Sequence, residues 1–196
     1  MNNNVDQYPN WFKLGGAEEN FSKYLTQYSG NKLNFLQIGA YTGDATRWLF
    51  DNVLTNLDST LTDVDTWEGS AEPAHLAMNW KSVEEVYDFR HSEVFESKKL
   101  IKKKMTSDQF FSSNKNKYDF IYIDGDHKAE SVLKDGMNAI QCLNNYGIIA
   151  FDDYMWSQHK GPAFDPKPAI DAIRLCYSDR FTVLDIGLQV WMMRSN

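Results

Sequence analysis

The chain has 196 residues, 42% of them apolar, with 12 Phe, 10 Tyr and 6 Trp, and a net charge of −7. At roughly 150 residues per domain this suits one domain with a full core, and the acidic balance opposes a nucleic-acid partner. No apolar run approaches the roughly 20 residues of a membrane helix, and the Met1-Asn-Asn-Asn start carries no signal-peptide pattern, so the expectation is a cytoplasmic protein without a membrane partner.

Residues 1–16 are polar, end in Gly15-Gly16 and read as a flexible N-terminal arm, with 17–196 as the single domain. Phe21, Tyr24, Leu25 and Tyr28 then recur at helical spacing up to Gly30. Asn34 to Ile38 predicts a strand, Gly39 to Gly43 a loop, Asp44 to Leu54 a helix, and Leu61 to Val64 a second strand with Asp65 at its end. Ser70 to Ser97 is polar with interspersed aromatics, as for a helix or two lying over the domain. Lys99 to Met105 is a third strand whose three consecutive lysines, 102 to 104, suit a solvated edge. Tyr118 to Ile123 is almost wholly apolar, as for a strand buried on both faces. A helix from Ala129 to Leu143 leads to a fifth strand, Tyr146 to Phe151. After a Gly- and Pro-rich loop, a helix from Ala169 to Tyr177 precedes a closing hairpin of Phe181 to Leu184 and Leu188 to Met193. Cys142 and Cys176 lie within apolar helical patterns and read as reduced core residues.

Strands alternating with helices predict an α/β fold: a Rossmann-like, doubly wound, mostly parallel seven-stranded sheet with an antiparallel C-terminal hairpin. In such sheets ligands bind beyond the carboxyl ends of the strands. The residues placed there are Gly39 to Gly43, Asp65, Ser107 and Asp108, Asp124 to His127, and Asp152 and Asp153. Glycines at 39 and 43 allow close backbone approach, whereas a dinucleotide fingerprint needs glycine at 41 and 44, which are Tyr and Asp. An acid at the end of strand two is placed to accept from ribose hydroxyls.

Phe35 to Gly43 (FLQIGAYTG) with Thr62 to Ser70 (TDVDTWEGS) resembles the class I S-adenosylmethionine-dependent methyltransferases. Tyr118 to His127 (YDFIYIDGDH) and Ile148 to Tyr154 (IIAFDDY) are similar to a branch containing metal-dependent O-methyltransferases of macrolide sugars, with catechol-type enzymes as more distant relatives. The resemblance spans residues 33–194. It implies that Gly39, Ala40, Tyr41 and Gly43 run along the methionine part of the cofactor, that Asp65 takes the ribose, and that Ser107 and Asp108 lie near the adenine. It also implies that Asp124 borders the same cofactor. Gln37 stands where many relatives carry an acid, so it offers the cofactor's ammonium group an acceptor without charge.

The acids at the ends of strands four and five converge on one space and repel unless protons or a cation intervene. Oxygen ligands without cysteine suit Mg²⁺, Ca²⁺ or Mn²⁺, and Mg²⁺ is the expected ion. Asp124, Asp152 and Asp153 are the expected ligands; the alternative is solvated loop acids, with Asp126 capping the helix that follows. His127, at the rim with a side chain that titrates near neutrality, suits a general base, and the resemblance implies the same. The expected activity is metal-assisted O-methylation of a small hydroxylated acceptor, with a homo-oligomer possible. The rival readings are a cofactor-binding module without transfer, a nicotinamide oxidoreductase, and a methyltransferase acting on a protein. Residues 70–97 and 155–168 are the expected acceptor walls. Trp67, Trp80 and Trp156 are read as core residues that are also placed to stack on a ring.

Overall fold

The structure, a computed structural model, describes residues 7–70 and 72–196. Seven strands form one sheet: β1 (Asn34–Ile38), β2 (Thr60–Asp65), β3 (Leu100–Lys104), β4 (Tyr118–Ile123), β5 (Leu143–Phe151), β6 (Phe181–Ile186) and β7 (Val190–Arg194). Their order is β3-β2-β1-β4-β5-β7-β6. The first five are mutually parallel, and β7 runs antiparallel to both β5 and β6, as the sequence predicts. Chain order reverses at β1, which pairs with β2 on one side and β4 on the other. A crevice therefore opens between the loops that follow β1 and β4.

Nine helices belong to the described residues: α1 (Trp11–Leu14), α2 (Ala17–Leu25), α3 (Asp44–Asn52), α4 (Pro73–Leu76), α5 (Trp80–Arg90), α6 (Ser92–Glu96), α7 (Ser107–Ser113), α8 (Ala129–Cys142) and α9 (Lys167–Cys176). Alternation along the strands sorts the core into two layers. Phe35, Phe120, Tyr122 and Ala150 pack under α2, α3 and α5, while Leu36, Ile121, Ile123 and Phe151 pack under α8 and α9. Phe21 of α2 sits at the centre of the first layer, edge-on to Phe12, Trp48, Phe120, Tyr122 and Trp191. Burying a side chain of that size contributes about 1.5–3 kcal/mol.

Several expectations are corrected. Part of the stretch assigned to a flexible arm is helical: α1 is capped by Asn10, whose Oδ1 accepts from Lys13 N at 2.9 Å, and Phe12 is buried. Residues 1–6 lie outside the described residues. Helix α7 was not anticipated; a complete capping box of Thr106 and Gln109 starts it within a Ser-rich stretch. Strand β5 begins at Leu143 because that residue pairs with Tyr118. Cys142 is half-buried, but Cys176 lies exposed at the end of α9 rather than in the core. The lysine strand is indeed an edge, yet Lys102 is half-covered by α5, pairing with Glu84 and Asp88 at 2.8 and 2.6 Å and lying over Trp67. Among the described residues no helix is long and apolar enough to cross a membrane.

Candidate active site

The crevice beside β1 is tightly built. Gly39 has φ +87°, and a Cβ there would lie 1.8 Å from the carbonyl oxygen of Asp124. Asp124 N in turn donates to Ile38 O at 2.8 Å. The first loop and the end of β4 thus touch with no side chain between them, and only glycine fits at 39. Asp65, at the end of β2, accepts from the backbone N–H of Ala40 and Tyr41 through Oδ2, at 2.7 and 2.9 Å, and from Trp67 N through Oδ1 at 2.7 Å. It therefore shapes the first loop; of about four lone-pair sites on a carboxylate, one stays open for a ligand hydroxyl. Gln37 Nε2 donates to Gly39 O at 2.7 Å, which leaves Oε1 buried and without a partner. A buried acceptor lacking a donor suits a cofactor ammonium group.

Gly43, at φ +79°, starts α3 with its Cα against the buried His91 ring. Asp44, in the first turn, is paired with Arg90 at 2.6 Å, so this helix start already holds an anion of its own. Ser107 and Asp108 stand in the first turn of α7, half-buried and exposed respectively. The structure gathers Gln37, Gly39, Ala40, Tyr41, Asp65 and Asp124 closely. Above the loop lies a feature that no sequence pattern announced: Trp11 of α1 stacks on Tyr41 with ring centroids 4.4 Å apart, and Tyr8, Trp80 and His75 join the same aromatic cluster.

The second half of the site is acidic. Among the described residues Asp124, His127 and Asp153 form a group with ligand atoms all within 4.8 Å of one another. His127 Nε2 lies 2.7 Å from Asp153 Oδ2, and its Nδ1 lies 2.9 Å from Oε1 of Glu72, a buried residue that sequence reasoning missed. Burial lowers the His127 pKa, but Asp153 and Glu72 more than offset this and push it up to about 11. The expected near-neutral titration is thereby corrected: the two carboxylates beside the ring favour its protonated form. Burial, then Asp152 and Asp153, hold the Asp124 carboxyl well above its ordinary value. Such a cluster calls for positive charge, and its oxygens suit a hard divalent ion.

Asp152 does not join this group. Its carboxylate is turned into the sheet, where Tyr122 Oη donates to Oδ2 and Gln189 Nε2 donates to Oδ1 at 3.1 Å. Asp153, one residue later, reaches the site through a left-handed backbone at φ 56°. Asp126 accepts from Ser131 Oγ at 2.7 Å, and α8 has Lys128 at its cap position, so Asp126 ties down the first turn of α8 without capping it. Tyr41, Trp67 and Asp153 are three non-glycine residues at positive φ just past strand ends. Such conformations cost about 1–3 kcal/mol each and cluster at functional sites. Trp67 is buried as a core residue, Trp80 is half-buried, and Trp156 packs on His127 with ring centroids 4.4 Å apart.

A family model described as a methyltransferase domain matches residues 36–154, more than half of the chain. No curated protein matches the sequence. Among solved structures, a candidate rRNA methylase from Clostridium thermocellum aligns at TM-score 0.66 with 10% identity, covering 93% of this chain and 96% of that one. The O-methyltransferase TomG from Streptomyces achromogenes, solved with S-adenosylmethionine, aligns at 0.62 with 12% identity over 94% and 80%. An O-methyltransferase from Bacillus cereus, solved with S-adenosylhomocysteine, aligns at 0.58 with 15% identity over 98% and 84%. At such identities the likeness shows the fold and leaves the acceptor open.

Proposed function

Because this chain belongs to the methyltransferase-domain family and has the fold of the class I S-adenosylmethionine-dependent enzymes, we propose that it methylates a hydroxyl of a small molecule with the help of a divalent cation. The observation that supports this reading is the direct contact between the Gly39 loop and the end of β4, which brings that loop beside Asp124, His127 and Asp153. Gln37 Oε1, the Gly39 to Tyr41 backbone and Asp65 would hold the donor.

A sulfonium methyl is already activated, so the chain's main task is to align the acceptor oxygen with it. As the C–O bond forms, the C–S bond breaks and its electron pair stays on sulfur. The hydroxyl proton would pass to Nε2 of His127, once that nitrogen has given up to solvent the proton it holds against Asp153. Asp124 and Asp153 would hold the cation, which supplies Lewis acidity that makes the hydroxyl more acidic. The acceptor side is the loop from 155 to 168, where a cavity of about 510 Å³ is lined by Tyr154, Met155, Trp156, His159 and Pro162 among others. The chain's −7 charge favours a small molecule over a nucleic acid.

The test is transfer of labelled methyl from S-adenosylmethionine to a panel of catechols and hydroxylated sugars, with Mg²⁺ or with EDTA. Loss of transfer in EDTA is the expected result, together with a drop of about 10²–10⁴ for His127→Ala, the usual worth of a general base. Activity indifferent to EDTA would remove the cation, and full activity in His127→Ala would remove the base. Because His127 Nε2 lies within the same 4.8 Å group, a second reading makes it a third ligand. Cation affinity that falls in His127→Ala supports that reading; unchanged affinity supports the base.

A further inference from the structure

We infer that Glu72 is a positioning residue for His127, holding the ring by its Nδ1 edge so that Nε2 is presented to Asp153. What Nε2 then does rests on the proposed function; the placement itself does not.

Glu72 is 6% exposed, and its one ion-pair partner among the described residues is His127 rather than a lysine or arginine. His127 Nδ1 is buried, and no group makes a well-aligned hydrogen bond to it. The Glu72 oxygen lies within 2.9 Å but off the N–H line, so charge holds the pair and a small ring rotation would align it. Glu72 also occupies the cap position of α4, yet its carboxylate accepts from no backbone N–H of that helix. Instead Ser70 Oγ donates to the same Oε1 at 3.0 Å, fixing the oxygen that faces the imidazole.

The surrounding segment is built to hold this aim. Gly69, at φ +74°, lets the chain pass against Trp80, where a Cβ would meet the ring at 2.2 Å. Trp80 Nε1 then donates to His75 O at 3.0 Å, tying the end of α4 to the start of α5. With Glu72 at Nδ1, Asp153 at Nε2 and Trp156 against the ring, His127 is restrained on three sides. Each ring nitrogen faces a carboxylate here, so each favours a proton; if Nε2 gives up its own, the Glu72 carboxylate keeps the other at Nδ1 and so fixes which nitrogen is left to accept a proton or bind an ion.

The test is NMR of ¹⁵N-histidine protein with S-adenosylhomocysteine, reading exchange of the His127 Nδ1–H, in wild type, Glu72→Gln and Glu72→Ala. A slowly exchanging Nδ1–H is expected in wild type and in Glu72→Gln, whose amide oxygen still accepts, and its protection should be lost in Glu72→Ala. Fast exchange in wild type, or protection unchanged in Glu72→Ala, overturns the inference; the wild-type measurement decides even if the alanine variant does not fold. On an acceptor from the panel, Glu72→Ala should lower kcat about 10–100-fold, the usual range for such supporting groups, with KM for S-adenosylmethionine unchanged. Glu72→Gln should recover most of the loss, and equal loss in both variants also overturns it. If no acceptor is methylated, the functional reading fails on its own while the exchange data still decide the role of Glu72.

Discussion

Asp63 offers a stability test of how the floor beneath the Gly39–Gly43 loop is built. It lies on β2, fully buried, with Thr46 Oγ1 and Tyr87 Oη donating to Oδ2 at 2.6 and 2.7 Å while Oδ1 has no partner. Burial pushes its pKa from 3.8 up to about 7, against the pull of those two hydroxyls. Below about pH 4 both folded and unfolded states are protonated and the group is neutral in its effect. Between about 4 and 7 the unfolded chain loses the proton while the fold keeps it, so stability falls as pH rises and levels off above 7. At 1.36 kcal/mol per pH unit, the gap from 3.8 to about 7 amounts to about 4 kcal/mol at pH 8. Asn at 63 removes this slope and keeps an acceptor for both hydroxyls, but it buries an unpaired N–H₂ at a cost of about 1–3 kcal/mol. Asp63→Asn should therefore be more stable than wild type at pH 8, by roughly 1–3 kcal/mol, and about level with it at pH 5. Urea midpoints at the two pH values measure this. Equal destabilisation by Asn at both would show that Asp63 is ionised in the fold, and the burial argument would be wrong.

Two other outcomes follow from the crevice. Gly39→Ala must place a Cβ into the Asp124 carbonyl at left-handed φ; that backbone alone costs about 1–2 kcal/mol, so a lowered Tm and loss of S-adenosylmethionine binding by calorimetry are expected, and full affinity would show that the loop is not the cradle. Trp11→Ala removes the stack on Tyr41, worth about 0.5–1.5 kcal/mol, so cofactor affinity should weaken roughly 2–12-fold with the fold intact; unchanged affinity would separate α1 from the site.

The framework was legible because strands buried on both faces write continuous apolar runs, as Tyr118–Ile123 does, and because a parallel sheet leaves few topologies. The one-turn α1 and the short α7 escaped because a few residues carry too little periodicity; α1 is held by Phe12 and Trp11 meeting residues far along the chain. The acids were legible as strand ends but not in their direction. Both acids follow the end of β5 at Phe151, and a strand pattern does not say which way each then turns. Asp153, at left-handed φ, turns to His127, and Asp152 is left with Tyr122 and Gln189.

His127 shows where reading by position runs out. Its rank as a base assumed an imidazole of ordinary basicity, a property set by neighbours and not by the Asp-Gly-Asp-His run itself. The neighbour that changes it most unexpectedly, Glu72, comes from a polar stretch with no periodic pattern and meets His127 across 55 positions of chain. With Glu72, Asp124 and Asp153 gathered about one ring, a proton on His127 supplies the positive charge nearest to hand. A divalent ion on Asp124 and Asp153 would supply more, and ligands of such an ion bind deprotonated, so the ring is freed to accept a proton only when the charge is met some other way. The proposed cation and the proposed base thus meet one electrostatic condition: a base role for His127 calls for another positive charge among these acids.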